Sequence, residues 1–271
     1  KVMAKRLRED TIEPVRSGQK SVPKHAGLPL KNIDRHLVGI VDVDSYEAEQ
    51  YRKLRYVLED KREAGKGLVM GICSAAAGDG KSLTALNLAG TLAQGQATRV
   101  LLLDTDLRKR SQTFNSCLGT GNDDALGLTD MILDTGLTLQ DVGVQANASG
   151  NLSVVMTGAR SVAPYEALRS PRFAEIMAEA RRDYDYVIVD TPPVVPVSDC
   201  RVISGHVDGF LMVVSAHRTP RTMLEEALHL MDPEKMLGFV FNRSDLMPYR
   251  YYAYYGYNRP AREAHQGYRC R

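Results

Sequence analysis

The stretch from Leu68 to Thr84 limits what this chain can become more than any other. An apolar run, Leu68-Val69-Met70-Gly71-Ile72-Cys73, passes into a loop of small residues, after which Leu83, Leu86, Leu88 and Leu92 recur at helical spacing. Strand, small-residue loop and helix in that order are the context a phosphate cradle needs, and Ala75–Ser82 has Walker A spacing with a Gly80-Lys81-Ser82 ending. Gly78 and Gly80 let backbone N–H groups approach an anion, and the following helix brings its positive end to the same point. On this reading Ala77, Gly78, Asp79, Gly80, Lys81, Ser82 and Leu83 bind the phosphates of a nucleotide. Lys81 reaches the β- and γ-phosphates and the Ser82 hydroxyl ligates Mg²⁺.

Two further runs end in carboxylates. Val100-Leu101-Leu102-Leu103 suits a strand buried on both faces and leads into Asp104-Thr105-Asp106-Leu107-Arg108. Tyr186-Val187-Ile188-Val189 leads into Asp190-Thr191-Pro192-Pro193, a Walker B arrangement in which Asp190 binds Mg²⁺ directly or through water. In α/β proteins ligands bind beyond the carboxyl ends of strands. An Asp turn closing a strand explains Asp104 and Asp106 as well, so neither assigns function alone. Strand-like runs also occupy Leu152–Met156, Gly209–Ser215 and Leu237–Phe241. Helical spacing marks Phe173, Ile176, Met177 and Ala180, and again Met223, Leu224, Ala227, Leu228 and Met231. The alternation predicts an α/β fold, a mostly parallel sheet flanked by helices on both faces. Residues 111–150 are polar, with a helical piece near Leu126–Leu133, and are the least informative part. Asn242, in Asn242-Arg243-Ser244-Asp245 past the last strand, is a candidate contact to the nucleotide base; a polar turn serves equally.

The ends differ from this middle. Residues 1–45 are rich in Lys and Arg, contain Pro14, Pro23 and Pro29, and read as a basic flexible arm. From Tyr46 the pattern is helical, with Glu49, Arg52 and Arg55 aligned along one side; a salt-bridged surface helix accounts for that row. A domain at 46–246 is followed by a tail, 247–271, holding Tyr249, Tyr251, Tyr252, Tyr254, Tyr255 and Tyr257. Their neighbours Arg250, Ala253, Gly256 and Asn258 are not core partners, which favours an accessible segment. A net charge of +2 is too small to imply nucleic acid. Cys73, Cys117, Cys200 and Cys270 lack metal spacing and suit a reduced, cytoplasmic protein. No run reaches the ~20 residues of a membrane span and no signal peptide is visible. The numbering opens at Lys1, which leaves an upstream segment open.

Taken together, the Walker A loop, the Asp-x-Asp-x-Arg tip at 104–108, the Asp-x-x-Pro tip at 190–193 and the tyrosine-rich end resemble the bacterial tyrosine kinases of capsule and exopolysaccharide synthesis. The resemblance covers about residues 46 to 257. It implies a Walker A′ element at Leu101–Arg108 and ring-like self-association through Glu49, Arg52 and Arg55. It further implies ATP- and Mg-dependent autophosphorylation, in trans, of Tyr249–Tyr257. Lys81, Asp104 and Asp106 are the catalytic candidates, with Asp104 or Asp106 taking the tyrosine proton. Ser82, Asp104, Asp106 and Asp190 are the metal candidates, and Arg108 and Asn242 join the nucleotide contacts. The implied partners are a membrane-bound polysaccharide co-polymerase or activator and a cognate tyrosine phosphatase, at the inner face of the plasma membrane. The chain departs from the family in Ala77-Gly78-Asp79, where Pro-Gly-Glu is usual; losing the proline leaves the loop less rigid. The alternative is a ParA/MinD-type partitioning ATPase. That family resembles Lys-Gly-Gly-x-Gly-Lys-Thr, whereas Ala76 stands where its extra lysine would be.

Overall fold

The apolar runs become strands of a single sheet in the computed structural model, which describes residues 33–244 apart from 64, 96, 121–124 and 148. The strands are β1 (Leu68–Ser74), β2 (Val100–Asp104), β3 (Val144–Gln145), β4 (Leu152–Val155), β5 (Tyr186–Asp190), β6 (Gly209–Ser215) and β7 (Met236–Asn242). Their order across the seven-stranded sheet is β3-β4-β2-β5-β1-β6-β7. Only β3 runs antiparallel; every other neighbouring pair is parallel.

Parallel pairing demands crossovers, and helices supply them on both faces. The helices are α1 (Val38–Val41), α2 (Tyr46–Lys61), α3 (Lys81–Leu92), α4 (Gln112–Leu118), α5 (Leu128–Leu133), α6 (Leu139–Val142), α7 (Pro164–Arg169), α8 (Pro171–Asp183), α9 (Asp199–Ile203) and α10 (Arg221–Leu230). In β2, Leu101 and Leu103 enter a core with Phe173, Ile176, Met177 and Ala180 of α8. Leu102 enters the opposite core, with Leu86, Leu88 and Leu92 of α3. This alternation explains why β2 reads as an unbroken apolar run: both faces are covered. The edge strand β7 is only partly covered, and Phe239 and Phe241 are exposed.

The packed region begins before Tyr46, the boundary that basic composition suggested. Leu37 is fully buried and α1 crosses α3. The Gly39 N–H donates to Asn87 Oδ1 (2.9 Å), and Asn87 Nδ2 donates to the His36 carbonyl (3.0 Å). A β-carbon at Gly39 would lie 2.3 Å from the Asn87 carbonyl oxygen, and one at Gly90 2.5 Å from Ile40 Cγ1, so only glycine permits this approach. One buried leucine and one glycine make no periodic signal, which is why the segment read as arm. Within residues 111–150, α4, α5, α6 and β3 are each too short for a pattern to rise above background. Residues 1–32 and the tyrosines at 249–257 lie outside the described residues.

Candidate nucleotide site at the strand tips

Because β5 lies between β1 and β2, the carboxyl ends of three strands meet. Asp190 is in register with both Ile72 and Asp104. The loop after β1 turns through Gly78 (φ 85°) and Gly80 (φ 94°), left-handed positions that favour glycine, and Gly80 caps the start of α3. Lys81 is buried at that start, its Nζ 3.3 Å from Ser82 Oγ and 3.4 Å from Asp190 Oδ1. The loop is braced from the far side of the sheet. Asp79 accepts from the Ala76 N–H (3.2 Å) and from Thr219 Oγ1 (2.9 Å). Asn242 Nδ2 donates to the Asp79 carbonyl (2.9 Å), placing the last residue of β7 against the loop.

Opposite Lys81, Asp104 accepts from the Asp106 N–H at Oδ1 (3.0 Å) and from Ser111 Oγ at Oδ2 (2.7 Å). Ser111 Oγ in turn accepts from the Thr157 N–H (2.8 Å). Asp106 pairs with Lys109 at 3.1 Å. The electrostatics follow from burial. Desolvation pushes the Asp104 carboxyl up to about 7, with the Asp190 charge adding to it and the Ser111 hydrogen bond opposing it. Burial likewise raises Asp190, against the pull of Lys81. Burial works to lower the Lys81 ammonium, but the charges of Asp190, Asp104 and Asp106 outweigh it and hold its pKa above the ordinary lysine value.

Asp104 and Asp190 beside the Lys81 ammonium make an electronegative, all-oxygen donor set when Ser82 is included, the chemistry that suits a hard divalent cation. Among the described residues no three carboxylate, His or Cys groups form a metal cage. A magnesium ion that takes one or two protein oxygens and completes its shell with phosphate and water needs none. The residues therefore fit magnesium carried with a nucleotide rather than bound alone.

Sequence reasoning gave Arg108 to the nucleotide; in the structure its guanidinium is paired with a carboxylate. Arg108 donates through Nε and Nη2 to both oxygens of Asp199 (2.9 and 2.8 Å), and the Asp199 side chain is fully buried. Withdrawing the arginine would strand a buried carboxylate, at about 3–5 kcal/mol. Asp199, Ser111, Thr157 and Thr219 all went unnoticed in the sequence, since each reaches the site from a distant element without motif spacing. Glu49, Arg52 and Arg55 lie on α2, which packs against α3 rather than at the strand tips. Glu49 pairs with Arg52 (2.8 Å), Arg55 with Glu59 (2.6 Å), and Arg55 Nη1 donates to the Thr91 carbonyl (3.1 Å). Arg52 also donates through Nη2 to the Val43 carbonyl, while its Nε is buried without an acceptor. A groove of about 220 Å³ lined by Gly39, Ile40, Gly90 and Gln94 lies along the α1–α3 crossing and not at the strand tips.

Residues 68–204 match the AAA domain family, which covers the phosphate loop and both acidic tips. Over 226 residues the chain is 34% identical to the tyrosine-protein kinase YwqD of Bacillus subtilis, covering 83% of this chain and 92% of that protein. The chain belongs to the bacterial tyrosine-protein kinase family. The matched stretch of this kinase includes Lys81, Ser82, Asp104 and Asp190. The succinoglycan biosynthesis transport protein ExoP of Rhizobium meliloti is 30% identical across 81% of this kinase, which spans only 27% of ExoP. Among solved structures, the kinase domain of the Escherichia coli tyrosine kinase ETK superposes with a TM-score of 0.68 at 25% identity, covering 81% of this chain and 84% of that one. A ParA family ATPase from Chlorobium tepidum shares the fold alone, at 21% identity and a TM-score of 0.53 over 68% of this chain and 76% of that one.

Proposed function

We propose that this kinase transfers the γ-phosphoryl group of Mg-ATP to tyrosines of the 249–257 cluster on another copy of the chain. The observation that carries the reading is the convergence of Lys81, Ser82, Asp104 and Asp190 on adjoining strand tips, with Lys81 buried at the positive end of α3. Phosphoryl transfer asks a protein for positioning and charge neutralisation more than for covalent chemistry. Lys81 and the N–H groups of residues 77–82 hold the phosphates. Ser82, Asp190 and an A′ aspartate would hold magnesium, which neutralises phosphate charge when bound. Asp106 is engaged by Lys109, which favours Asp104 as the acceptor of the tyrosine proton. Burial has already moved the Asp104 carboxyl toward the range where a general base works best at neutral pH. Asn242, held against the phosphate loop, remains the proposed neighbour of the base.

Around this site the wider reading is a self-associating kinase, joined through the α2 row, that serves exopolysaccharide or capsule synthesis. A membrane-bound co-polymerase would hold it at the inner face of the plasma membrane, and a tyrosine phosphatase would reset it. Its relationship to YwqD and ExoP supports this. No helix among the described residues is long and apolar enough to cross a membrane.

The test is a mixture of a tail-truncated chain with intact Lys81 and a full-length Lys81→Met chain, incubated with labelled ATP. Phosphotyrosine in 249–257 of the Lys81→Met chain is the expected result. Absence of label there, while full-length wild type labels itself, would refute transfer in trans; absence in both would refute the kinase reading.

A further inference from the structure

The loop that carries Asp104 and Asp106 is tied to its neighbours at several points, among them the Ser161 N–H donating to the Leu107 carbonyl (3.2 Å) and the Ser111 link from Asp104 to Thr157. At its start Thr105 belongs to the sheet: its N–H and Oγ1 both donate to the Asp190 carbonyl, at 2.9 and 2.8 Å. Beyond Thr105 the contacts of Asp106 turn inward, to Asp104 and Lys109 of the same loop. The charged tie to a separate element is Arg108, whose two-point contact with Asp199 fixes direction as well as distance.

Asp199 opens α9, and its neighbour faces the other loop of the site. Cys200 Sγ lies 3.3 Å from Thr191 Oγ1 and 3.2 Å from the Pro192 carbonyl, both in the turn that follows Asp190. Thr191 Oγ1 also donates to the Ile72 carbonyl on β1 (3.0 Å). Successive residues of one short helix thus clasp the two acidic loops, one through a charge pair and one through a thiol. Leu107, fully buried, packs in the same core as Cys200 and Ile203, so apolar contact backs the polar one.

We infer that Asp199 is a positioning residue for phosphoryl transfer, acting through Arg108 to hold the Asp104–Asp106 loop in register with the Asp190 loop. This rests on the kinase reading above. Among the described residues the Asp199 side chain bonds to Arg108 and not to Asp104 or the phosphate loop, and its influence is the placement of Asp104. Misplacing a catalytic group by about an ångström can lower turnover about a hundredfold while leaving the binding surface intact. The alternative, that the pair merely stabilises the fold, makes a different forecast, and a mutant cycle separates the two.

Arg108→Met strands the buried Asp199 carboxylate; it lowers both the melting temperature and the turnover of tyrosine phosphorylation. Arg108→Met combined with Asp199→Asn removes the stranded charge. In that double variant the melting temperature returns toward wild type, and the affinity for a fluorescent Mg-ADP analogue stays within about twofold. Turnover remains down by about ten- to a hundredfold, with KM for ATP little changed. A double variant that recovers turnover together with melting temperature would overturn the inference and leave a structural salt bridge. If the double variant does not fold, Arg108→Lys decides. It keeps the charge without the two-pronged geometry, and wild-type turnover in it overturns the inference while a tenfold loss at unchanged melting temperature supports it. Wild-type chain runs alongside throughout: if it transfers no phosphate to tyrosine, the kinase reading fails, whatever the variants do.

Discussion

Charge is used in opposite ways in two regions of this kinase. At the strand tips Lys81, Asp104 and Asp190 are buried together, where desolvation raises both carboxyls and the ammonium cannot balance them alone. On α2 the row of Glu49, Arg52 and Arg55 is partly exposed and satisfied largely within its own chain. Solvent-facing pairs contribute about 0–1 kcal/mol, so the second group gives the monomer little. The first holds mutual repulsion that a nucleotide and its cation would relieve. Buried charge here sets the electrostatics of the strand tips; exposed charge contributes little to the fold.

The comparison can be broken most severely at Lys81. Replacing it with Met should cut γ-phosphate transfer by about a hundred- to a thousandfold or more, the loss typical of a preorganised charge-stabilising group, as measured with labelled ATP. Undiminished transfer would reduce the buried cluster to a structural feature. Next comes the pH dependence of the metal-free, nucleotide-free protein. The folded-state pKa of Asp104 lies above its unfolded value of 3.8, at about 7, so the folded state holds a proton that the unfolded state has lost between those limits. Stability from this group is full below about pH 4 and is lost as pH rises through about 7. Melting curves should therefore show wild type losing ground to Asp104→Asn as pH rises from 5 to 8, by on the order of a few kcal/mol. Parallel curves would show that the charge is not confined as described.

A smaller effect is expected at Ser111, whose hydroxyl steadies Asp104. Ser111→Ala removes a hydrogen bond to a charged group, worth about 1.5–3 kcal/mol, and should lower turnover by about tenfold with little change in KM. Smallest is Glu49→Ala, which should shift monomer stability by less than about 1 kcal/mol in denaturant titrations. Its effect should appear instead in sedimentation, as weaker self-association. A large loss of monomer stability would place α2 with the buried region after all.

Legibility from sequence followed the same division. The placement of Lys81 and Ser82 at a helix start and of Asp104 and Asp190 at strand tips was readable because each is a local design within one short stretch. The central strands were readable because full burial on both faces leaves an apolar run. Asp199 was hidden because its importance is defined by Arg108, 91 positions away, and nothing in Ser198-Asp199-Cys200 announces the pairing. Ser111 and Thr219 were hidden for the same reason. Arg108 was visible as part of a motif but its pairing with Asp199 was not, since spacing reveals that a cation is present and not which carboxylate it meets. The seat of residues 33–45 on α3 depends on two glycines whose value lies in what they lack.

That seat has a mechanical consequence. With Gly39 close against Gly90 and Asn87 bonded to both the Gly39 N–H and the His36 carbonyl, the joint between α1 and α3 is closely packed. The helix it grips begins at Lys81. The α1 segment is thus fastened to the same helix whose first residue is the lysine of the loop after β1.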